Sequence, residues 1–166
     1  MDLSDNIIIT TDSFSPEGEI ARFRASLENS GAIVSFTGIV RDLTPTDDLT
    51  DTVTALHLQH YPGFTEQQIS TFAQTALDRF DIQNLLVIHR VGTMAPSDPI
   101  VLVAVAAVHR RAAFEAADYL MDYLKSSAPF WKKETRGTQS VWIEPRIEDY
   151  KDKARWDAQN ETKDEA

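Results

Sequence analysis

Cysteine is absent from this 166-residue chain. Its absence removes disulfides, zinc–thiolate sites, iron–sulfur clusters and any thiol nucleophile of the chain's own. Positive charge is scarce as well: 16 Lys and Arg stand against 26 Asp and Glu, a net charge of −10. Counterion release from nucleic acid needs a broad basic face, so nucleic-acid binding is not expected. The six glycines never fall into GxGxxG or GxxxxGKS/T, which removes a dinucleotide fingerprint and a P-loop, and Gly-x-Ser-x-Gly is missing too. The longest apolar run, Ile100 to Val108, has nine residues, whereas a bilayer span needs roughly 20. The acidic start Met1-Asp2-Leu3-Ser4-Asp5 has no positive region followed by an apolar one. A soluble, cytoplasmic protein with no membrane partner is expected.

What is present reads as a globular α+β domain. Hydrophobic residues make up 42% and charged residues 25%, near the average for folded domains. Ile7 to Thr10 is a β-branched run that predicts a strand. Ser15-Pro16-Glu17 is a helix start, with Ser15 as N-cap and Pro16 in the first turn, and Ile20, Phe23 and Leu27 follow as its apolar face. Ala32 to Val40 predicts a strand in which Gly38 marks a bulge or a close approach. Asp42 to Asp51 reads as an acidic surface loop. Thr52 to Tyr61 predicts a strand, and Thr65 with Gln68 suggests a capping box for a helix burying Ile69, Phe72, Ala76 and Phe80. Leu85 to Val91 is a further strand, Gly92 to Pro99 a turn, and Ile100 to Val108 a strand buried on both faces.

A long helix is expected from His109 to about Lys125, with Phe114, Ala117, Leu120, Met121 and Leu124 on its apolar face. Phe130-Trp131 and Ser140 to Ile143 suggest a hairpin across Arg136-Gly137. Strands and helices mix without βαβ alternation, which favours α+β over a doubly wound sheet. The domain is expected over residues 1–146. Residues 147–166 are expected to form a charged C-terminal tail, partly disordered, because eight acids and five Lys or Arg crowd the stretch from Glu144 onward.

The four histidines do not suggest a metal centre. His57 and His60 lie three apart on a strand and so point to opposite faces, and neither His89 nor His109 has a carboxylate at metalloprotease spacing. No metal and no cofactor is expected. The stronger signal is a cationic cluster in an acidic chain. His109-Arg110-Arg111 sits where a buried strand meets a helix, and the free N–H groups of a helix's first turn make an anion site. Lys125 closes the same helix, and Lys132-Lys133 follow. Between His109 and Arg136 six Lys or Arg face four acids, so this stretch is locally positive. Each lysine also has a plain structural reading: Lys125 complements a helix dipole, and Lys132-Lys133 form a solvated strand edge. Phe130-Trp131 beside them would exclude water and strengthen nearby charge interactions.

Several motifs recur in a fixed order: Gly31-Ala32-Ile33-Val34-Ser35-Phe36-Thr37-Gly38 with Val40-Arg41, His60-Tyr61-Pro62-Gly63, and Ile88-His89-Arg90-Val91-Gly92. Val108-His109-Arg110, Phe114-Glu115-Ala116, Met121-Asp122-Tyr123-Leu124-Lys125, and Ala128-Pro129-Phe130-Trp131-Lys132-Lys133-Glu134 complete the series. Together they resemble the large, catalytic subunit of molybdopterin synthase, over about Gly31 to Trp142. The resemblance implies an α+β fold with a hammerhead-like subdomain, and a homodimer at the centre of a heterotetramer with two ubiquitin-like small subunits. It implies a sulfurtransferase. The small subunit's C-terminal Gly-Gly thiocarboxylate would enter a pocket and deliver sulfur to cyclic pyranopterin monophosphate, forming the molybdopterin dithiolene. A cysteine-free sulfurtransferase agrees with this, because its sulfur arrives on a partner.

By the same resemblance, Arg41, His109 and Arg110 bind the substrate. Lys125 lies nearest the thiocarboxylate, polarising its carbonyl or handling protons. Lys132, with Lys133 and Glu134, lines the other side of the pterin pocket, and Lys125 and Lys132 are the catalytic candidates. The family often carries a lysine two residues before the arginine matching Arg41; here that residue is Ile39. Two other readings of the residues stay open: a non-catalytic module gripping a Gly-Gly tail or a phosphorylated metabolite, and an enzyme of unrelated phosphate chemistry.

Overall fold

The computed structural model describes residues 3–41 and 53–161. In chain order these form β1 (Ile7–Thr10), α1 (Pro16–Ala25), β2 (Ala32–Ile39), β3 (Val53–His60), α2 (Phe64–Arg79), β4 (Asn84–Arg90), β5 (Gly92–Met94), β6 (Pro99–Ala107), α3 (Arg110–Ser126), β7 (Phe130–Arg136), β8 (Gln139–Ile143) and α4 (Ile147–Glu161). The expected acidic loop, Asp42 to Asp51, lies outside the described residues.

The strands make two four-stranded sheets, ordered β1-β4-β6-β2 and β5-β3-β7-β8. In the first, β1 pairs with β4 in parallel and the other pairs are antiparallel. The second is antiparallel throughout. The mixed α+β class expected from the sequence is the class observed.

β6 explains why the first sheet is the core. Val101, Val103 and Val105 pack with Leu85 and Val87 against α2, α3 and α4. Leu102, Ala104 and Ala106 pack with Leu86 and Ile88 against Phe23 of α1. A strand covered on both faces has no solvent side to alternate with, hence its continuous apolar run. α3 meets this sheet through Ala113, Ala116, Ala117, Leu120 and Leu124. The alanines let its backbone approach closely. Phe114, expected on that face, is instead exposed.

Local chemistry sets the element ends. Ser15 caps α1 by accepting the Gly18 N–H at 3.1 Å. At α2 the cap lies earlier than expected: Glu66 accepts the Gly63 N–H at 2.7 Å, and Gly63 has φ +81°. That angle is open to glycine and costly for other residues. Thr65 is then inside the helix, fully buried, with its hydroxyl accepting the Tyr61 N–H at 3.0 Å. The segment read as a turn after Val91 carries β5, which edges the second sheet.

Gly31 and Gly38 hold β2 against its neighbours. A Cβ at Gly31 would lie 2.3 Å from the Val108 carbonyl oxygen, and one at Gly38 would lie 2.7 Å from Val101 Cγ1. The β2–β6 register shifts between Gly38 and Ile39, as expected of a bulge. That shift sets the direction of the chain toward Arg41.

The expected charged tail is corrected. Residues 147–161 form α4, and Trp156 joins the main core beside Phe80 and Tyr119. Asp122 on α3 accepts both the Trp156 indole N–H and the Arg155 guanidinium, each at 2.7 Å. A charge count hides this helix because its charged residues are the solvent face around one anchoring tryptophan. No helix among the described residues is long and apolar enough to cross a membrane.

Candidate functional site

Only Val108 and His109 separate β6 from α3, so the helix folds straight back along the strand it follows. Its N-terminus lies at the Ala107 end of β6 and its C-terminus at the Val101 end. Fifteen residues separate Arg110 from Lys125, which at 1.5 Å each places their backbones about 22 Å apart. The cationic residues singled out in the sequence therefore fall into two groups within one chain.

The group at the C-terminal end of α3 contains Lys125, Arg41, Lys132 and Glu134. β2 runs antiparallel to β6 with Gly38 opposite Val101, so Arg41 arrives at this end. A small pocket of about 50 Å³ is lined by Arg41, Lys132 and Glu134 together with Ile39 and Ile100. Ile39 contributes an apolar wall here and no charge.

On β7 the strand alternation sorts the motif Lys132-Lys133-Glu134. Lys132 pairs in register with Leu58, and Glu134 with Leu56, both of which are core residues of the small cluster beneath this sheet. Lys132 and Glu134 therefore share the inner face. Lys133 lies opposite His57 on the outer face, with Nζ 5.4 Å from the Trp142 ring centroid. The expectation that Lys133 lines the pocket beside Lys132 is corrected by this period of two.

Glu134 is nearly buried and takes two cations: Lys132 Nζ at 2.8 Å and Arg136 Nη2 at 3.0 Å. Burial alone would raise its carboxyl pKa. The hydrogen bonds from Lys132 and Arg136, with their charges, outweigh burial and hold it below the usual range. Glu134 thus serves as a fixed anion that fixes Lys132, and both of its oxygens are engaged.

Lys125 has a different setting. It is exposed on the last turn of α3, and among the described residues no carboxylate pairs with it. Two histidines, His60 and His89, lie toward the same end. His60 Nε2 lies 3.5 Å from Glu66. His89 stacks on Phe130 with ring centroids 4.0 Å apart, and its Nδ1 bonds the Arg90 carbonyl oxygen at 2.9 Å. Burial, reinforced by His60 and Lys125, overcomes that hydrogen bond and lowers the His89 pKa from 6.5 to about 4. The signal in the sequence was its place in a predicted strand, which does not distinguish a core histidine from a working one.

The second group sits at the N-terminus of α3. His109, Arg110, Arg111, Phe114 and Glu115 line an open hollow of about 530 Å³. No acidic residue occupies the first turn of the helix, so its free N–H groups and the Arg110 guanidinium favour an anion. Arg111 is engaged with Glu115 at 3.2 Å. Among the described residues no three His, Asp or Glu come together as metal ligands.

Comparison with known proteins gives the family. The family model described as "MoaE protein" matches residues 9–127. The molybdopterin synthase catalytic subunit of Caulobacter vibrioides is 46% identical over 151 residues, covering 91% of this chain and 97% of that protein. The Escherichia coli protein of the same name is 42% identical, covering 84% of this chain and 90% of its own. Among solved structures, a molybdopterin biosynthesis MoaE protein from Burkholderia ambifaria superposes with a TM-score of 0.76 at 42% identity, over 91% of this chain and 97% of that one. A Helicobacter pylori chain solved as a complex of subunits 1 and 2 of molybdopterin-converting factor shares the fold at 20% identity and a TM-score of 0.70, over 84% of this chain and 91% of that one. The match runs through Arg41, His109, Arg110 and Lys125, and this chain belongs to the MoaE family, that of the catalytic subunit of molybdopterin synthase.

Proposed function

We propose that the chain transfers sulfur from the C-terminal thiocarboxylate of a ubiquitin-like small subunit to cyclic pyranopterin monophosphate, in the cytoplasm, building the dithiolene of molybdopterin. The observation that carries this reading is the pocket lined by Arg41 and Lys132, with Lys132 fixed by Glu134. Both reactants are anions, and this end offers cations of different mobility. Lys125 meets the thiocarboxylate, polarising its carbonyl and handling protons. Lys132 and Arg41 hold the pterin side. Each transfer forms a carbon–sulfur bond on the pterin as a carbon–oxygen bond at the same carbon breaks and its oxygen leaves, and water then hydrolyses the resulting thioester, leaving sulfur on the pterin and a carboxylate on the tail.

His109 and Arg110 are too far from Lys125 along α3 to share one small substrate within a chain. In the homodimer they are supplied by the second copy, whose α3 N-terminus brings an anion site for the substrate's phosphate. This places one complete site across two copies. Single-turnover assays with thiocarboxylated small subunit test the reading directly. Lys125→Ala and Arg110→Ala each reduce product by at least about a hundredfold, the range for loss of an acid–base or charge-stabilising group. Mixing the two variants restores product, because a mixed dimer carries one intact site. No restoration sinks the shared site, and full turnover by Lys125→Ala sinks the role of that lysine. Tail binding by the native chain without product would favour the binding-module reading.

A further inference from the structure

Between β5 and β6 the chain makes a four-residue turn, Ala95-Pro96-Ser97-Asp98, for which the proposed reaction has no task. The Asp98 N–H bonds the Ala95 carbonyl oxygen at 3.1 Å, which closes the turn with Pro96 as its first central residue. Ser97, the second, has φ +72°, a left-handed angle that such turns normally give to glycine. A serine held there needs support from its surroundings. Asp98 supplies it: Oδ2 accepts the Ala95 N–H at 3.0 Å and the Arg90 guanidinium at 3.2 Å. Arg90, the last residue of β4, is buried, and its Nε has no hydrogen-bond partner among the described residues. A buried guanidinium without an anion is costly, so the pair holds Asp98 as firmly as Asp98 holds the turn.

The same turn grips the end of β2. The Asp98 carbonyl oxygen accepts the Val40 N–H at 2.9 Å, and the Val40 carbonyl oxygen accepts the Ser97 N–H at 2.8 Å. The Val40 side chain is buried with Leu56, Leu58 and Met94. Val40 is thus fixed at three points. Its carbonyl lies in one rigid peptide plane with the Arg41 nitrogen, so the bond from Ser97 sets the direction in which Arg41 leaves. Arg41 is exposed and lines the small pocket with Lys132 and Glu134.

We propose that Arg90 and Asp98 are positioning residues for Arg41: their ion pair holds the turn at residues 95–98 in its left-handed form, and the turn holds the peptide from which Arg41 reaches the pocket. An arginine has a long flexible stem, and fixing its origin lowers the entropy lost when its guanidinium meets an anion. Neither Arg90 nor Asp98 lines the pocket, so both act through the backbone. Lys132 shows the other arrangement in the same site, a cation clamped directly by a carboxylate. The anchoring stands on the hydrogen bonds themselves; its consequence for substrate rests on the sulfur-transfer reading, in which Arg41 holds the pterin side.

Amide hydrogen exchange of the isolated full chain, read by NMR, tests the anchoring without any turnover. In the native chain the Val40 and Ser97 amides are protected. Asp98→Ala speeds exchange at both by about tenfold or more, while the β6 amides from Leu102 to Val105 stay protected and show the fold intact. Unchanged exchange at Val40 and Ser97 overturns the inference. Adding Ser97→Gly, which suits φ +72°, restores most of the protection, and no recovery overturns the turn as the link. Should Asp98→Ala fail to fold, Asp98→Asn, which keeps an acceptor for Ala95 but loses the charge facing Arg90, is read in its place. In the assembled enzyme, Asp98→Ala raises the half-saturating concentration of the pterin substrate about tenfold and changes the maximal single-turnover rate less than about twofold. In an Arg41→Ala background the same substitution adds nothing, because the residue it acts through is gone. An unchanged half-saturating concentration, or an additive loss in that background, overturns the inference. If the native assembly makes no product, the proposed function fails and the exchange comparison decides the anchoring by itself.

Discussion

The two sheets are built from strands of similar length and have opposite characters. The first is sealed: β6 from Leu102 to Ala107 has no exposed surface, and helices cover both of its faces. The second is open: β8 is exposed along most of its length, and Trp131 and Trp142 are about half exposed on its outer face. Its inner face carries Lys132, Glu134 and Arg136, charges the first sheet could not hold without large desolvation costs. Buried apolar packing is concentrated in the first sheet, and charged side chains are accommodated on the second. The site residues stay placed because a rigid element stands behind each of them.

That contrast can be broken from the sealed side. Leu120→Ala, at a fully buried position of α3, is expected to cost about 2–5 kcal/mol in chemical denaturation. A cost below 1 kcal/mol would mean that the first sheet is less tightly packed than its burial indicates. The junction between the sheets gives the next effect. His89 titrates near 6.5 when unfolded and at about 4 when folded. Between those values the unfolded chain binds more protons, so stability is full above pH 6.5 and falls as pH drops to 4, by about 3 kcal/mol. His89→Phe flattens that segment of the stability–pH curve.

Glu134 extends the comparison into the second sheet. Its depressed carboxyl contributes stability above its unfolded pKa that is lost as pH falls through the folded value, at the acid side of the His89 window. Glu134→Gln removes this acid limb and costs about 1–3 kcal/mol by leaving Lys132 and Arg136 short of an anion. Trp142→Ala is expected to matter least for folding, below about 1 kcal/mol including its contact with Lys133. A cost similar to that of Leu120→Ala would erase the distinction between the sheets.

Much of the sealed sheet is legible in the sequence because its rules are local. The β6 run, the Ser15-Pro16 cap and the glycine at the β2 bulge each follow from a few neighbouring residues. Phe114 shows the limit: it sits at helical spacing with Leu120 and Leu124, but the stripe of Ala113, Ala116 and Ala117 sets which face meets the sheet. α4 was hidden because Trp156 gains its meaning only from Phe80 and Tyr119, far away in the chain.

The site was legible in residue type and less so in arrangement. Strand alternation already separates Lys132 from Lys133, and helix rise already separates Arg110 from Lys125. Reading a motif as one cluster overlooks both. His89 could not be read, since its tautomer depends on a carbonyl and its neutrality on burial, and both require the folded chain.

The three tryptophans divide along the same line as the sheets. Trp156 is 5% exposed in the core, while Trp131 and Trp142 are 49% and 52% exposed on the open sheet. The protein consequently carries two optical reporters of different colour. Blue-shifted emission from Trp156 follows the docking of α4 onto α3, and red-shifted, quencher-accessible emission from the other two follows whatever covers the outer face of the second sheet. Folding and assembly can be watched separately in one unlabelled sample.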